Sequence, residues 1–384
     1  MKNQATAAGA VTKPNLFTPL QMGPYTLSHR VVMAPLTRMR TKVDFIPNEL
    51  MVEYYTQRAT KGGYIVSEGT VISETGHGYY GAPGIYTDEQ VEGWKKVTAA
   101  VHAKGGIIFN QLFHVGRQSH VDLQPNGALP IGPSVIEHDD VVFTPDGWVP
   151  ATLNRELRTE EVKSLVQDYR KAAERAKIAG FDGVELHGAN GYLVDQFLQD
   201  GSNQRTDEYG GSIENRVRFM LEIVDEFVDL WGADKVGVRL GPSGSFGSMS
   251  DSDPLTLFGH AAEQLNKYGL AYLHIIEPRV KGNIEVAEGL EPVATRHLRK
   301  IFKGLIIAAG GFNYKNANEI ISAGEADLVA FGRYFIANPD LPHRFKNGYP
   351  LNVYDRNTFY GGDARGYNDY PFYEEQKSVL AKSS

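Results

Sequence analysis

The chain has 384 residues, 42% of them hydrophobic and 22% charged, enough for a large packed core. Its formal net charge of −7 and the lack of a dense Lys/Arg run argue against nucleic acid or a membrane surface as a partner. With no cysteine, disulfides, thiolate nucleophiles, Cys-ligated zinc and iron–sulfur clusters are excluded, and a cytoplasmic setting is expected.

Residues 1–14 read as a flexible tail with no apolar core of the kind a signal peptide needs. No stretch approaches the roughly 18 apolar residues of a membrane span. Residues 20–30 contain Gly-Pro and predict a hairpin ahead of the first main strand. Apolar, β-branched runs then recur at 31–37, 64–72, 106–113, 183–188, 236–241, 272–278, 305–311 and 328–333. Helical periodicity fills the gaps at 49–61, 88–103, 159–179, 213–230, 255–268, 291–302 and 314–323. Thr87 and Gln90 form a predicted capping box, and Gly180 a predicted helix stop. A Gly/Pro-rich excursion over 114–158 follows the third run; loops of that length are usually functional. Leu380 to Ser384 look untethered.

Eight strand–helix units predict an α/β protein, a (β/α)8 TIM barrel occupying 1–384 as a single domain. A doubly wound open sheet is the alternative, although no GxGxxG follows the first strand. In a barrel the active site lies at the C-terminal ends of the strands. Those ends carry Pro35-Leu36-Thr37, Glu68-Gly69, Asn110-Gln111, His187 to Tyr192, Arg239, Glu277, Gly310-Gly311 and Gly332-Arg333. Any one of them could simply cap a strand, but a set that brings polar groups to one rim points to chemistry.

The glycine pair after strand seven and Gly332-Arg333 after strand eight match the usual phosphate site of this fold. Backbone N–H groups can approach a phosphate where no Cβ intervenes, and arginine adds a bidentate contact. His187 and Asn190, three apart, could share one side of a helical turn and present two neutral donors to one oxygen. From pattern alone, His187 reads equally as a satisfied buried histidine. Tyr192 could donate a proton into the same space, or simply pack its ring. Metal binding is disfavoured, since no HxH or HExxH occurs.

Four stretches carry a wider resemblance: LFTPLQMGPYTLSHRVVMAPLTRMR, QLFHVGRQSH, GFDGVELHGANGYLVDQFLQDGSNQRTDEYGGSIENR and TFYGGDARGYNDYP. Through them the chain resembles the Old Yellow Enzyme family of FMN-dependent ene-reductases, from about Leu16 to about Tyr373. The resemblance implies non-covalent FMN, with NADPH or NADH as hydride donor and electrophilic alkenes as substrates. It places Pro35, Leu36 and Thr37 beside the isoalloxazine ring, with Gly69 allowing its close approach. Gln111 would read the pyrimidine edge and Arg239 would lie near N1 and the C2 carbonyl. Gly310, Gly311, Gly332 and Arg333 would hold the phosphate. His187 and Asn190 would bind the electron-withdrawing group, Tyr192 would protonate the α-carbon, and Phe113 and Tyr360 would line the substrate space.

The chain departs from the family in two places. Phe113 stands where some members carry tryptophan and Ala330 where some carry glycine, and Thr37 rules out the branch that carries cysteine there. The iron–sulfur relatives are excluded by the missing cysteines. Two rivals remain at this stage. A flavin carrier without turnover would not need the substrate donors. A non-flavin lyase or hydrolase would need a Schiff-base lysine or paired carboxylates, and no lysine stands at these strand ends. Monomer and homodimer are both compatible with the family.

Overall fold

The computed structural model describes residues 13–281, 284–285 and 293–377. Most of the expected N-terminal tail, 1–12, and Leu380 to Ser384 fall outside them. The tail expectation stops short of Pro14, whose carbonyl accepts a 3.1 Å hydrogen bond from the Ser322 hydroxyl.

The eight strand-like runs form β1 (Val31–Met33), β2 (Tyr64–Val66), β3 (Ile107–Phe113), β4 (Gly183–Gly188), β5 (Val236–Leu240), β6 (Tyr272–Ile276), β7 (Ile306–Ala309) and β8 (Leu328–Phe331). All pairings between them are parallel. The order β4-β5-β6-β7-β8-β1-β2-β3 closes through a β3–β4 pairing, so the sheet is a barrel and not an open, doubly wound sheet. The strands are buried from end to end, which is why they read as continuous apolar runs.

Alternation along each strand divides the core in two. Ile65, Ile108, Val184, Leu186, Val238, Leu273, Ile306, Val329 and Phe331 face outward into the shell shared with the helices. Val32, Tyr64, Phe109, Tyr272, Ile307 and Leu328 point inward. The predicted hairpin, Leu20–Met22 against Tyr25–Leu27, adds Met22 and Leu27 to that inner cluster and plugs one end of the barrel. Gly237 makes room for the inner layer, because a Cβ there would meet the Tyr272 ring at 2.3 Å.

The helices sit close to their predicted positions: α1 (Glu49–Arg58), α2 (Asp88–Ala103), α3 (Thr159–Ile178), α4 (Ile213–Trp231), α5 (Pro254–Leu265), α6 (Thr295–Leu298) and α7 (Tyr314–Ser322). The Thr87/Gln90 capping box forms. The helix expected over 291–302 is reduced to four residues at 295–298; 291–292 lie outside the described residues. The 114–158 excursion folds into a hairpin, Val141–Thr144 against Gly147–Pro150, and a short parallel pair, Ile131–Gly132 with Arg155–Glu156. No helix among the described residues is long and apolar enough to cross a membrane.

Candidate active site

Period-two alternation carries the inward face of the barrel up to its C-terminal rim. Register pairs His187 with Arg239 and Arg239 with His274, so the three side chains share the interior. Above them opens a cavity of ≈ 490 Å³, within the size range of small-molecule sites.

Pro35, Leu36, Thr37, Gln111 and Arg239 line its wall. So do Gly310, Gly311, Gly332 and Arg333, and His187, Asn190, Tyr192 and Tyr360. The predicted set therefore converges, apart from Gly69 and Phe113. Neither contributes to the cavity wall. The space left by the missing Cβ of Gly69 is taken by the Phe113 ring, 3.1 Å from where that Cβ would stand. Phe113 in turn backs the wall, with its ring 6.0 Å from His187 and 5.3 Å from Tyr192.

The helical-turn reading of His187 and Asn190 does not hold. The next helix begins only at Leu193. Asn190 and Gly191 instead take left-handed conformations, φ 58° and 69°, which turn the chain abruptly out of β4. Buried side chains hold that turn. The Gly191 N–H donates to Asp195 Oδ2 at 2.9 Å, and the Gly191 carbonyl accepts from Gln118 Nε2 at 2.8 Å and Gln196 Nε2 at 2.7 Å.

Tyr192 follows directly, with its ring edge-on to His187 at 5.0 Å. Its hydroxyl donates to Tyr79 Oη at 3.2 Å, and Tyr79 donates onward to Gln118 Oε1 at 3.4 Å. Both tyrosine pKa values are pushed up, chiefly by burial, so both phenols keep their protons at neutral pH. Burial, then the nearby Arg239 charge, pushes His187 well below its ordinary value, so its imidazole is neutral.

Gly310 and Gly311 have φ 108° and 66°, values that side-chain-bearing residues seldom adopt. A Cβ on Gly310 would also crowd the Glu277 carbonyl oxygen at 3.1 Å. The two glycines thus leave a stretch of wall where backbone is directly accessible.

Tyr360 reaches the site from far along the chain through buried arginines. Arg38 donates to the carbonyls of Phe359 at 2.8 Å and Gly366 at 2.7 Å, and Arg40 to that of Thr358 at 2.8 Å. Several lining residues were not visible in the pattern. Tyr79 lies in the connection after β2, and Val141 and Trp148 on the excursion hairpin. Phe246 and Tyr354 come from irregular segments. None belongs to a periodic run; only the length of the excursion hinted that it mattered. Among the described residues, no group of three or more His, Asp or Glu could hold a metal ion.

Known proteins match this chain along most of its length. A model of the NADH:flavin oxidoreductase / NADH oxidase family matches residues 15–352. Identity to 12-oxophytodienoate reductase 1 of Oryza sativa subsp. japonica is 49% over 376 residues, 97% of this chain and 96% of the relative. For 12-oxophytodienoate reductase 2 of Arabidopsis thaliana it is 47% over 369 residues, 94% of this chain and 96% of the relative. Morphinone reductase, also solved in complex with tetrahydroNAD, is 48% identical with a TM-score of 0.89, covering 96% of this chain and 98% of that one. The old yellow enzyme homologue from Zymomonas mobilis gives a TM-score of 0.89 at 41% identity, covering 93% of this chain and 99% of that one. The resemblance read from the motifs is thus the one found. The chain belongs to the NADH:flavin oxidoreductase / NADH oxidase family and is an NAD(P)H-dependent flavin oxidoreductase.

Proposed function

We propose that the protein is an FMN-dependent ene-reductase that reduces the activated C=C bond of α,β-unsaturated carbonyls and nitroalkenes. The observation that carries this reading is one cavity lined by two neutral donors, a protonated phenol and a glycine cradle.

The residues present fit FMN. Arg239 Nε is buried without a protein partner. Gly310, Gly311 and Gly332 leave backbone open to a phosphate, with Arg333 beside them. Thr37 and Gln111 offer polar edges to a ring, and Pro35 and Leu36 an apolar flank. When bound, FMN supplies hydride to the alkene β-carbon.

His187 and Asn190 grip the oxygen of the electron-withdrawing group and stabilise the negative charge that develops there. Tyr192 gives its proton to the α-carbon: its O–H bond breaks, a C–H bond forms, and the phenolate is reprotonated through Tyr79, 3.2 Å away. NADPH or NADH and the alkene use the same cavity in turn, so the kinetics are ping-pong. Nitrate esters and nitroaromatics present oxygens to the same donor pair and are further substrates. We read the chain as one cytoplasmic domain, working as a monomer or homodimer.

An anaerobic titration tests the whole reading. NADPH or NADH should bleach the flavin absorbance, and 2-cyclohexenone should restore it. A purified protein without flavin, or a bleached flavin that no enone or nitroalkene reoxidises, sinks it. Tyr192→Phe should slow reoxidation by an enone about 10²-fold, the low end for a general acid, and leave reduction by the nicotinamide unchanged. Stopped-flow measurement of the two half-reactions separates these outcomes. Gly310→Ala should weaken FMN binding by about 5- to 150-fold, since an alanine strained at that φ costs about 1–3 kcal/mol. Fluorescence titration of the apoprotein with FMN checks this; an unchanged Kd would remove Gly310 from the cradle.

A further inference from the structure

Below the cavity floor lies a carboxylate that the mechanism above does not use. Glu185 sits on β4 two residues before His187, on the same inward face, and is fully buried. Its Oε1 accepts from Gln111 Nε2 at 2.6 Å. Its Oε2 accepts from the Tyr272 hydroxyl at 3.0 Å and lies 2.9 Å from His274 Nδ1. Tyr272 Oη in turn accepts from the Tyr64 hydroxyl at 2.8 Å, so each phenol directs its proton toward the carboxylate.

Two consequences follow from this arrangement. An ionised carboxylate has no proton to donate, so only the NH2 of Gln111 can face it. The Gln111 carbonyl oxygen is thereby turned away from Glu185, and Gln111 lines the cavity. The second consequence is electrostatic. Burial penalises both Glu185 and Arg239 as ions, but each favours the charged form of the other, and His274 further holds Glu185 ionised. A fixed negative charge therefore lies beneath the arginine at the cavity floor, in surroundings that screen it poorly.

We infer that Glu185 is a positioning residue that sets the Gln111 amide and offsets the positive charge of Arg239, holding the flavin's midpoint potential low. The inference rests on the flavin reading of the cavity. Reduction adds negative charge near the floor; Glu185 opposes it, so the reduced cofactor is a stronger hydride donor to the alkene.

The test compares two variants of the holoenzyme by dye-equilibrated anaerobic reduction. Glu185→Gln keeps an oxygen for Gln111 but loses the charge. Its potential should shift to more positive values, with FMN affinity within about threefold of the parent. Glu185→Asp keeps the charge but withdraws from Gln111. It should weaken FMN binding about tenfold and leave the potential nearly unmoved. An unmoved or more negative potential in Glu185→Gln overturns the inference, as does loss of flavin from that variant with its fold retained. Should Glu185→Gln not fold, Tyr272→Phe reads the same charge. It removes one donor from the carboxylate and should shift the potential to more negative values; no shift, or the opposite one, overturns the inference. A parent protein without flavin would fail the functional reading itself, whereas a flavin whose potential ignores Glu185 fails only this inference.

Discussion

Replacing His187 and Asn190 together by alanine should leave FMN bound and cut enone reduction by at least about 10³-fold, since removing one preorganised oxyanion donor typically costs 10²–10³. Both residues line the cavity wall: His187 is neutral, and its Nδ1 has no protein acceptor or donor. A donor of this kind contributes most where charge develops, because the protein has already met the cost of orienting it. In the double variant, binding of phenol ligands should collapse with turnover, while bleaching by the nicotinamide persists. Flavin stoichiometry, phenol titration and enone kcat/KM together check this. Loss of the flavin instead would assign the pair to the cofactor and undo the substrate assignment.

The second large effect concerns stability below neutral pH. Burial lowers His29 to about 4 and His77 and His114 to about 3, and lowers His187 well below its ordinary value. The unfolded chain protonates these histidines near 6.5, whereas the folded chain resists until much lower pH. Their contribution is therefore complete above about 6.5 and is lost as pH falls toward the folded values. Glu68 and Asp195 work in the opposite direction. Burial raises both to about 7, so they contribute below their unfolded values of 4.5 and 3.8 and lose that contribution as pH rises through 7.

Between pH 6.5 and 4.5 four histidines oppose two carboxylates. Each fully shifted group is worth at most about 1.4 kcal/mol per pH unit, so the balance favours destabilisation on acidification by up to about 3 kcal/mol per unit. Thermal melts of the holoenzyme should show Tm falling by up to about 5 °C from pH 6.5 to 5.0. A flat profile would mean that the histidines titrate normally. A Tm that rises on acidification would mean that the two carboxylates dominate.

The histidines also show where sequence reading stops. His114 stands one position past the end of β3, where the strand ends turn toward the cavity. It is instead fully buried: its Nδ1 accepts from the Gly116 N–H at 3.0 Å, and its Nε2 pairs with the Thr75 hydroxyl at 3.1 Å. Phe113 looks like a wall residue and backs the wall. Gly69 looks like a flavin contact and makes room for Phe113. In each case the strand was found correctly, but which neighbour occupied the adjacent space depended on side chains remote in sequence. The His187–Asn190 spacing brought both residues to the cavity for a reason other than the expected one. A left-handed turn, tied by Asp195, Gln118 and Gln196, does what a helical turn was expected to do.

The amino-acid sequence by itself determined the alternation of eight buried strands with amphipathic helices, because periods of 2 and 3.6 are local properties that each segment carries alone. It also determined most of the rim, because strand ends in a closed parallel barrel have nowhere else to converge. Only the tertiary structure decided which groups complete the site. Tyr79, Gln118, the Trp148 hairpin and the Glu185–His274–Tyr272 network belong to segments separated by tens of residues. Their hydrogen bonds and pKa shifts arise from burial against one another, and no local pattern encodes a desolvated contact between residues that meet only when the barrel closes.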